Sequence, residues 1–472
     1  MADSDAAGLQ LRSPRGRMVL LATILGSGMA QLDATVVGVA LPRIGSDLNA
    51  GLTELQWTVN AYTLTLAGLL LLGGSLGDRL GRRRIFVVGV IWFAIASAGC
   101  AAAPTPVLLI TARAVQGIGA ALLTPGSLAI IEASFARKDR APAVGYWSGL
   151  GGIAGALGPV VGGLLVGVAP WGWRLVFLLN LPLALVTVRA ARAVPETRDE
   201  ESAGHLDVIG TALAALGLAG IVFALTQGPA GGWSTPVVLL GVLGIVLLGA
   251  FVIQERRHAN PLVPPVLFRS RDFTATNGVT LAVYAALGGT FFLLPIQLQT
   301  GSGFSPVAAG TALLPLTVLL LLISGPAGRL ATRIGPRLLM TVGPIIAGVG
   351  LVLFTRIGPD AAYVSDVLPA VLVFGFGMSL TVAPLTATVL ASVADRYAGV
   401  ASAVNNDVAR TAGLLAVAIL PSLAGIAGAG QLGPAELSAG FDRAVLITGA
   451  VCAAGGVLAF LTVRGSGVRA ED

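Results

Sequence analysis

The stretch Gly74-Ser-Leu-Gly-Asp-Arg-Leu-Gly-Arg-Arg-Arg84 decides how the rest of the chain is read. It joins two long apolar runs and packs one carboxylate, four arginines and three glycines between them. Charge at that density cannot lie in hydrocarbon, where each unpaired ion costs several kcal/mol. An ordinary soluble loop has no need of glycines at this spacing. The stretch therefore reads as a short cytoplasmic hinge between two membrane helices that approach closely.

Composition extends that reading to the whole chain. Of 472 residues, 55% are hydrophobic and 11% charged, and the mean hydropathy is +0.87. A soluble protein carries about a quarter charged residues. The apolar runs follow one another with almost no polar sequence between them, which leaves no room for a folded domain outside a membrane. Net charge is +6, almost all of it arginine, with Lys138 the sole lysine. The arginines sit at the ends of apolar runs, so they read as topology signals and headgroup anchors and not as a nucleic-acid surface. Cys100 and Cys452 both fall inside apolar runs and make neither a disulfide framework nor a metal site. The first run is too long for the core of a signal peptide and reads as a retained helix.

A spanning helix needs about 20 apolar residues. On that basis fourteen spans are expected between Met18 and Val463. Basic residues concentrate in alternate connections: Arg12, Arg15 and Arg17; Arg79 to Arg84; Arg137, Lys138 and Arg140; Arg192 and Arg198. The series continues with Arg256, Arg257, Arg269 and Arg271; Arg329, Arg333 and Arg337; Arg396; and Arg464 and Arg469. The intervening connections hold only Arg43, Arg174, Arg356 and Arg443. The positive-inside rule then places both termini in the cytoplasm, as a multi-pass protein of the inner (cytoplasmic) membrane. The alternative is twelve spans, with the seventh and eighth runs (Val208–Leu225 and Val237–Ile253) lying at the interface.

Gly74–Arg83 aligns without gaps to Gly328-Arg-Leu-Ala-Thr-Arg-Ile-Gly-Pro-Arg337, with Thr332 where the first copy has Asp78. Each copy lies between the second and third helix of a six-helix block. The chain is therefore expected to be a duplication related by an axis along the membrane normal. The expected divisions are a six-helix bundle over 1–194, a linker with two extra helices over 195–272, and a second six-helix bundle over 273–472.

Gly74–Arg84 resembles the signature loop of the major facilitator superfamily. Leu32-Asp-Ala-Thr-Val-Val-Gly-Val-Ala-Leu-Pro42 is similar to the first-helix motif of its fourteen-span drug:proton antiporter branch. Arg113-Ala-Val-Gln-Gly-Ile-Gly-Ala-Ala121 and Gly158-Pro-Val-Val-Gly-Gly163 are similar to the fourth- and fifth-helix motifs, and Trp173–Pro182 also fits the branch. Gly38 stands where that branch carries Asn, and Ala154 at the leading Gly position of the fifth-helix motif. The resemblance implies an all-α polytopic fold, two six-helix bundles with pseudo-twofold symmetry plus two inserted helices. It also implies proton-coupled efflux of hydrophobic drugs or metabolites, cationic ones included, by alternating access.

Asp33 is the leading candidate for the chemistry. Counting 1.5 Å per residue places it roughly 16 Å below the outer end of the first helix, and Arg113 roughly 10 Å below the same face on the fourth. A carboxylate at that depth must be paired or lie in a wet cavity. Burial disfavours its charged form and a neighbouring cation favours it, the balance a reversible proton carrier needs. Asp33, Arg113 and Gln116 are thus proton-coupling candidates; a purely structural ion pair is the competing reading. Candidates for cargo binding are Asp33, Gln56, Asn60, Tyr62, Asn406 and Asp407, with Asn277 and Gln297 weaker ones. Trp57 reads better as an interfacial aromatic, and Asp407 is expected to pair with Arg410 three residues on. Glu132, His205 and His258 read as solvated. Gating candidates are Gly74, Gly77, Asp78, Arg79, Gly81, Arg82 and Arg83, where the resemblance implies that Asp78 steadies the outward-facing state. Gly158, Pro159, Gly162 and Gly163 join them: Pro159 kinks its helix, the glycines allow close approach, and the resemblance implies a pliable outer seal there.

No phosphate-binding loop, zinc-ligand cluster or nucleophile triad is visible, so neither an enzyme nor a cofactor is expected. Partners are a small hydrophobic molecule, protons and the bilayer, and a monomer is expected. A facilitator exporting a lipid or secondary metabolite is the alternative within transport. A transport-inactive sensor or scaffold is the alternative outside it.

Overall fold

In the computed structural model the described residues are 8–198, 207–258, 261–428 and 432–464; His205 and Arg469 lie outside them. Among these, regular structure is helical except for one isolated bridge between Leu9 and Phe135. The long helices are α1 (Pro14–Leu48), α2 (Leu52–Leu80), α3 (Arg82–Ala102), α4 (Pro106–Ser134), α5 (Arg137–Gly167), α6 (Trp173–Ala191) and α7 (Val208–Gly231). They continue with α8 (Thr235–Arg257), α9 (Arg271–Gly301), α10 (Pro306–Ile334), α11 (Pro336–Arg356), α12 (Tyr363–Ala391), α13 (Ala398–Leu423) and α14 (Pro434–Thr462).

Thirteen of them are long and apolar enough to cross a membrane, α7 and α8 included. The exception is α13, where an apolar span was expected over Val400–Gly425. It is a helix of 26 residues, but Asn405, Asn406, Asp407 and Arg410 crowd its first half and dilute its hydropathy. Elsewhere large apolar side chains face outward along the spans, such as Ile95, Leu239, Ile245 and Leu322, each more than 60% exposed. Exposed aliphatic surface on that scale is what lipid, and not water, solvates.

Local chemistry sets the helix ends. Ser13, Thr105 and Ser305 cap α1, α4 and α10, their hydroxyls accepting from the backbone N–H three residues on. Each is followed by a proline at the first helical position, whose missing N–H costs nothing there. At the far end of α1, Asn49 takes the left-handed conformation at φ 51°.

The chain separates into two compact units. One comprises residues 1–50, 57–219 and 246–251; the other comprises 51–56, 220–245 and 252–472. In the first, α1 packs on α5 and α6, and α3 on α4. In the second, α11 packs on α12 and α14, and α9 on α13 and α14.

The charged stretch corrects one expectation. It is not a turn throughout: α2 runs on through Asp78 to Leu80, α3 starts at Arg82, and Gly81 alone lies outside the helices, at φ 114°. The aligned Gly335 does the same between α10 and α11 at φ 85°. Only glycine reaches such angles without strain, so each copy of the repeat has one obligatory hinge residue. The other glycines serve packing: a Cβ on Gly73 would strike the Ala121 carbonyl of α4. A strap after α6 then holds the first hinge. Arg82 N–H donates to the Thr197 carbonyl (3.0 Å), Arg83 N–H to Glu196 Oε1 (3.0 Å) and Arg83 Nη1 to the Val194 carbonyl (3.2 Å). The aligned Arg337 likewise donates from Nε to the Phe460 carbonyl at the end of α14 (2.8 Å). Asp78 pairs with Arg82 at 2.7 Å, one helical turn on.

Gly81→Ala should therefore lower the thermal unfolding midpoint in detergent, by the equivalent of about 1–3 kcal/mol for a left-handed non-glycine residue. Gly77→Ala adds a Cβ that meets only Arg82 Cα at 4.0 Å and should leave the midpoint unchanged. Equal midpoints for the two variants would contradict the assignment of Gly81 as the hinge.

Candidate functional site

Within the first unit, side chains from four helices converge on Asp33, which has no accessible surface. Asp33 Oδ2 accepts from Arg113 Nη1 of α4 at 2.5 Å. Its Oδ1 accepts from Gln116 Nε2 at 2.9 Å and from Asn180 Nδ2 of α6 at 3.0 Å. Arg113 and Gln116 are three residues apart and so share one face of α4. Asn180 is carried by α6 just past Leu179, which keeps helical dihedrals (φ −53°, ψ −32°) and donates to the Leu175 carbonyl (2.9 Å).

A second ring of bonds fixes these groups. Arg113 Nη1 also donates to Gln116 Oε1 (2.7 Å), and its Nε to the Thr58 carbonyl (3.1 Å). The guanidinium lies 4.2 Å from the centroid of the Tyr62 ring, a cation–π contact between two buried side chains. Ser97 of α3 receives Gln116 Nε2 (3.2 Å) and Asn180 Nδ2 (2.9 Å), and donates to the Phe177 carbonyl (2.9 Å). The Cys100 thiol donates to Gln116 Oε1 at 3.5 Å. Asn180 Oδ1 has no partner among the described residues.

The fifth-helix glycines bear on the same site from behind. A Cβ on Gly158 would collide with Thr35 Oγ1, and one on Gly162 would lie 2.9 Å from Val36. Both contacts are on α1, within a turn of Asp33. Gly158, Gly162 and Gly163 are buried, so this stripe seats α1 against α5 inside one unit.

Of the residues singled out above, the structure gathers Asp33, Arg113, Gln116 and Tyr62. It places the others elsewhere. In the second unit the Gln56 amide is committed to the carbonyls of Val417 (2.6 Å) and Ala418 (3.1 Å). Asn405 Nδ2 bonds Asn277 Oδ1 (3.1 Å) and Thr280 Oγ1 (2.8 Å), tying α13 to α9, and Gln297 Nε2 bonds the Ile357 carbonyl and Ser438 hydroxyl, both at 2.8 Å. Asn406 is exposed and bonds the Ser402 carbonyl. The expected Asp407–Arg410 pair does not form: Asp407 is half-buried, and its Oδ1 has no hydrogen-bond partner. On a helix the i,i+3 spacing permits a pair but does not require one. Asn60 is completely buried in the first unit, with neither polar atom of its amide partnered. Glu132 is exposed, as expected, whereas His258 is half-buried at the end of α8.

Sequence reading missed Asn180 and Ser97. Asn180 lies inside the Trp173–Pro182 segment, where an amide amid Leu and Phe is the visible signal; a lone serine in a membrane helix carries none.

Among the described residues, fourteen long helices, thirteen of them apolar enough to span, together with a buried charge pair inside the first unit, define a polytopic α-helical membrane protein of the secondary-transporter class. The profile of the Major Facilitator Superfamily matches residues 23–418. Among curated proteins, the puromycin resistance protein pur8 of Streptomyces alboniger is 39% identical over 424 residues, 88% of this chain and 83% of that protein. A methylenomycin A resistance protein of Bacillus subtilis is 35% identical over 86% of this chain and 87% of its own length. Among solved structures, a bacterial homologue of the human lysosomal transporter Spinster aligns with a TM-score of 0.68. It covers 95% of this chain and 97% of its own, at 19% identity, a likeness of fold. The chain belongs to the major facilitator superfamily. It is a multi-pass membrane transporter of small molecules, and not an enzyme.

Removing one partner of a buried pair strands the other charge, at a cost of about 3–5 kcal/mol. Arg113→Ala should therefore unfold well below wild type in detergent, and adding Asp33→Asn should recover part of the loss. Strictly additive effects in that double-mutant cycle would show that the two groups are not coupled.

Proposed function

We propose that this protein exports hydrophobic small molecules across the cytoplasmic membrane by proton antiport, with Asp33 as the proton carrier. The observation that carries the reading is the solvation of Asp33 by one cation and two carboxamides. Arg113, Gln116 and Asn180 all donate to the carboxylate. A carboxamide turned about its last bond offers an oxygen in place of its N–H₂. The unpartnered Asn180 Oδ1 is then an acceptor ready for a protonated Asp33. The same shell suits both protonation states, a property that a permanent ion pair has no use for.

In this reading a proton arriving from the outer side neutralises Asp33 and releases Arg113 from it. Binding of cargo favours the return of the pair, and the proton leaves inward. One glycine joint in each half, Gly81 and Gly335, accompanies the rocking of two duplicated six-helix bundles, with α7 and α8 as an insert. The arginine-rich connections support a topology with both termini in the cytoplasm. Similarity to resistance proteins for puromycin and methylenomycin A supports outward transport of a drug or secondary metabolite.

The complete burial of Asp33 and near-complete burial of Arg113 favours a second reading, a gradient-independent facilitator in which the pair is a fixed strut. Proteoliposomes loaded with a pH indicator separate the two. Antiport predicts that puromycin or another accepted cargo drives proton movement in wild type and none in Asp33→Asn. Proton movement equal in both would refute Asp33 as carrier, and cargo flux indifferent to an imposed pH gradient would favour the facilitator.

A further inference from the structure

Ser97 of α3 is completely buried and bonds both carboxamides of the Asp33 shell. Gln116 Nε2 divides its hydrogens between Asp33 Oδ1 (2.9 Å) and Ser97 Oγ (3.2 Å), and Asn180 Nδ2 does the same (3.0 and 2.9 Å). The Ser97 hydroxyl hydrogen goes to the Phe177 carbonyl (2.9 Å). A serine hydroxyl has one donor and two acceptor positions, and here all three are filled. The two amides differ in what else orients them. Gln116 is fixed at its oxygen as well, which accepts from Arg113 Nη1 (2.7 Å) and the Cys100 thiol (3.5 Å). The bonds that orient Asn180 run through Nδ2, to Asp33 and Ser97.

We infer that Ser97 is a positioning residue for proton coupling: it holds the N–H₂ groups of Asn180 and Gln116 on Asp33 and so sets the pH at which Asp33 takes up its proton. The inference rests on the antiport reading above and adds the group that tunes its site. Donors held on a carboxylate favour the charged form. When Asn180 turns its oxygen toward a protonated Asp33, the same turn aims that oxygen at Ser97 Oγ. The hydroxyl must then leave the Phe177 carbonyl to donate to it, and the site is one bond poorer. Ser97 thus biases the shell toward the carboxylate by about one hydrogen bond. With alanine at position 97 neither orientation of Asn180 finds a partner there, and the bias is lost. The charged and titratable groups around Asp33 are Arg113 of α4, Cys100 of α3 and Tyr62 of α2. From α6 it faces Asn180, and α5 presents Gly158 and Gly162 nearby, none of which titrates. Replacing Ser97 leaves all of these in place.

The test is an infrared pH titration of the reconstituted full-length protein without cargo, with the Asp33→Asn spectrum subtracted so that the band followed is the protonated carboxyl of Asp33. Without Ser97 the carboxylate is less well supported, so Asp33 keeps its proton to higher pH. Ser97→Ala should therefore move the half-loss of that band upward by about one pH unit, about tenfold in proton affinity and the worth of one to two hydrogen bonds. Ser97→Cys puts a weak donor and acceptor in place of the hydroxyl. It should shift the band in the same direction, and it carries the test where Ser97→Ala does not fold. In an Asn180→Ala background the shift caused by Ser97→Ala should shrink, because the two groups act as one. A merely structural serine would lower thermal stability and leave the midpoint where it is. An unmoved midpoint in the serine variants, or the same shift with and without Asn180, overturns the inference and leaves Asp33 as the carrier. If no band missing from Asp33→Asn titrates in wild type, Asp33 is not the carrier, and the inference falls with that reading.

Discussion

The charge pair between Asp33 and Arg113 is the constraint on which the first unit is built. Two ions taken out of water cost several kcal/mol each, and attraction between them offsets that cost only with good geometry and further hydrogen bonds. The surroundings supply both. Gln116 and Asn180 meet the second carboxylate oxygen, the Thr58 carbonyl and the Tyr62 ring meet the guanidinium, and Ser97 holds the two amides in place. Five helices must be in register for this to work, which makes the pair a specification of the bundle as well as a site within it.

Backbone proximity follows from the same need. The amides and the guanidinium reach Asp33 because the helices lie close, and they lie close because glycine occupies the contacts. Gly158 and Gly162 admit α1 to α5, Gly73 admits α2 to α4, and a Cβ on Gly117 would run into the Tyr62 carbonyl. Without a hydrophobic driving force between helices in lipid, such small-residue contacts are a main source of packing energy. Positioning of the chemistry and stability of the fold are thus one problem with one solution.

Much of this was legible in the sequence, and for identifiable reasons. The spans follow from hydropathy. The duplication follows from Gly74–Arg83 and Gly328–Arg337, and the structure adds that Gly81 and Gly335 both have positive φ and that Arg83 and Arg337 bond carbonyls at equivalent places. The meeting of Asp33 and Arg113 follows from helical rise counted from two ends, since depth in a membrane is a shared ruler. What depth cannot supply is azimuth. Gln56 and Asn60 sit one turn apart, yet one is spent on backbone carbonyls and the other has no partner. Asp407 and Arg410 have the spacing of a pair and do not form one. Asn180 owes its role to the face of α6 that carries it toward Asp33, which depth alone does not announce. The extent of the hinge was also overestimated, because charge marks where a helix leaves the hydrocarbon and not where it stops being a helix.

The central claim is that Asp33 exchanges Arg113 for a proton as cargo leaves and returns to Arg113 as cargo binds. Infrared difference spectroscopy of the reconstituted protein on addition of cargo tests it most directly, because a protonated carboxyl and a carboxylate absorb in separate regions. Cargo should remove a protonated-carboxyl band and produce a carboxylate band in wild type, and both features should vanish in Asp33→Asn. A spectrum with no carboxyl change, or one unaltered by Asp33→Asn, would contradict the claim.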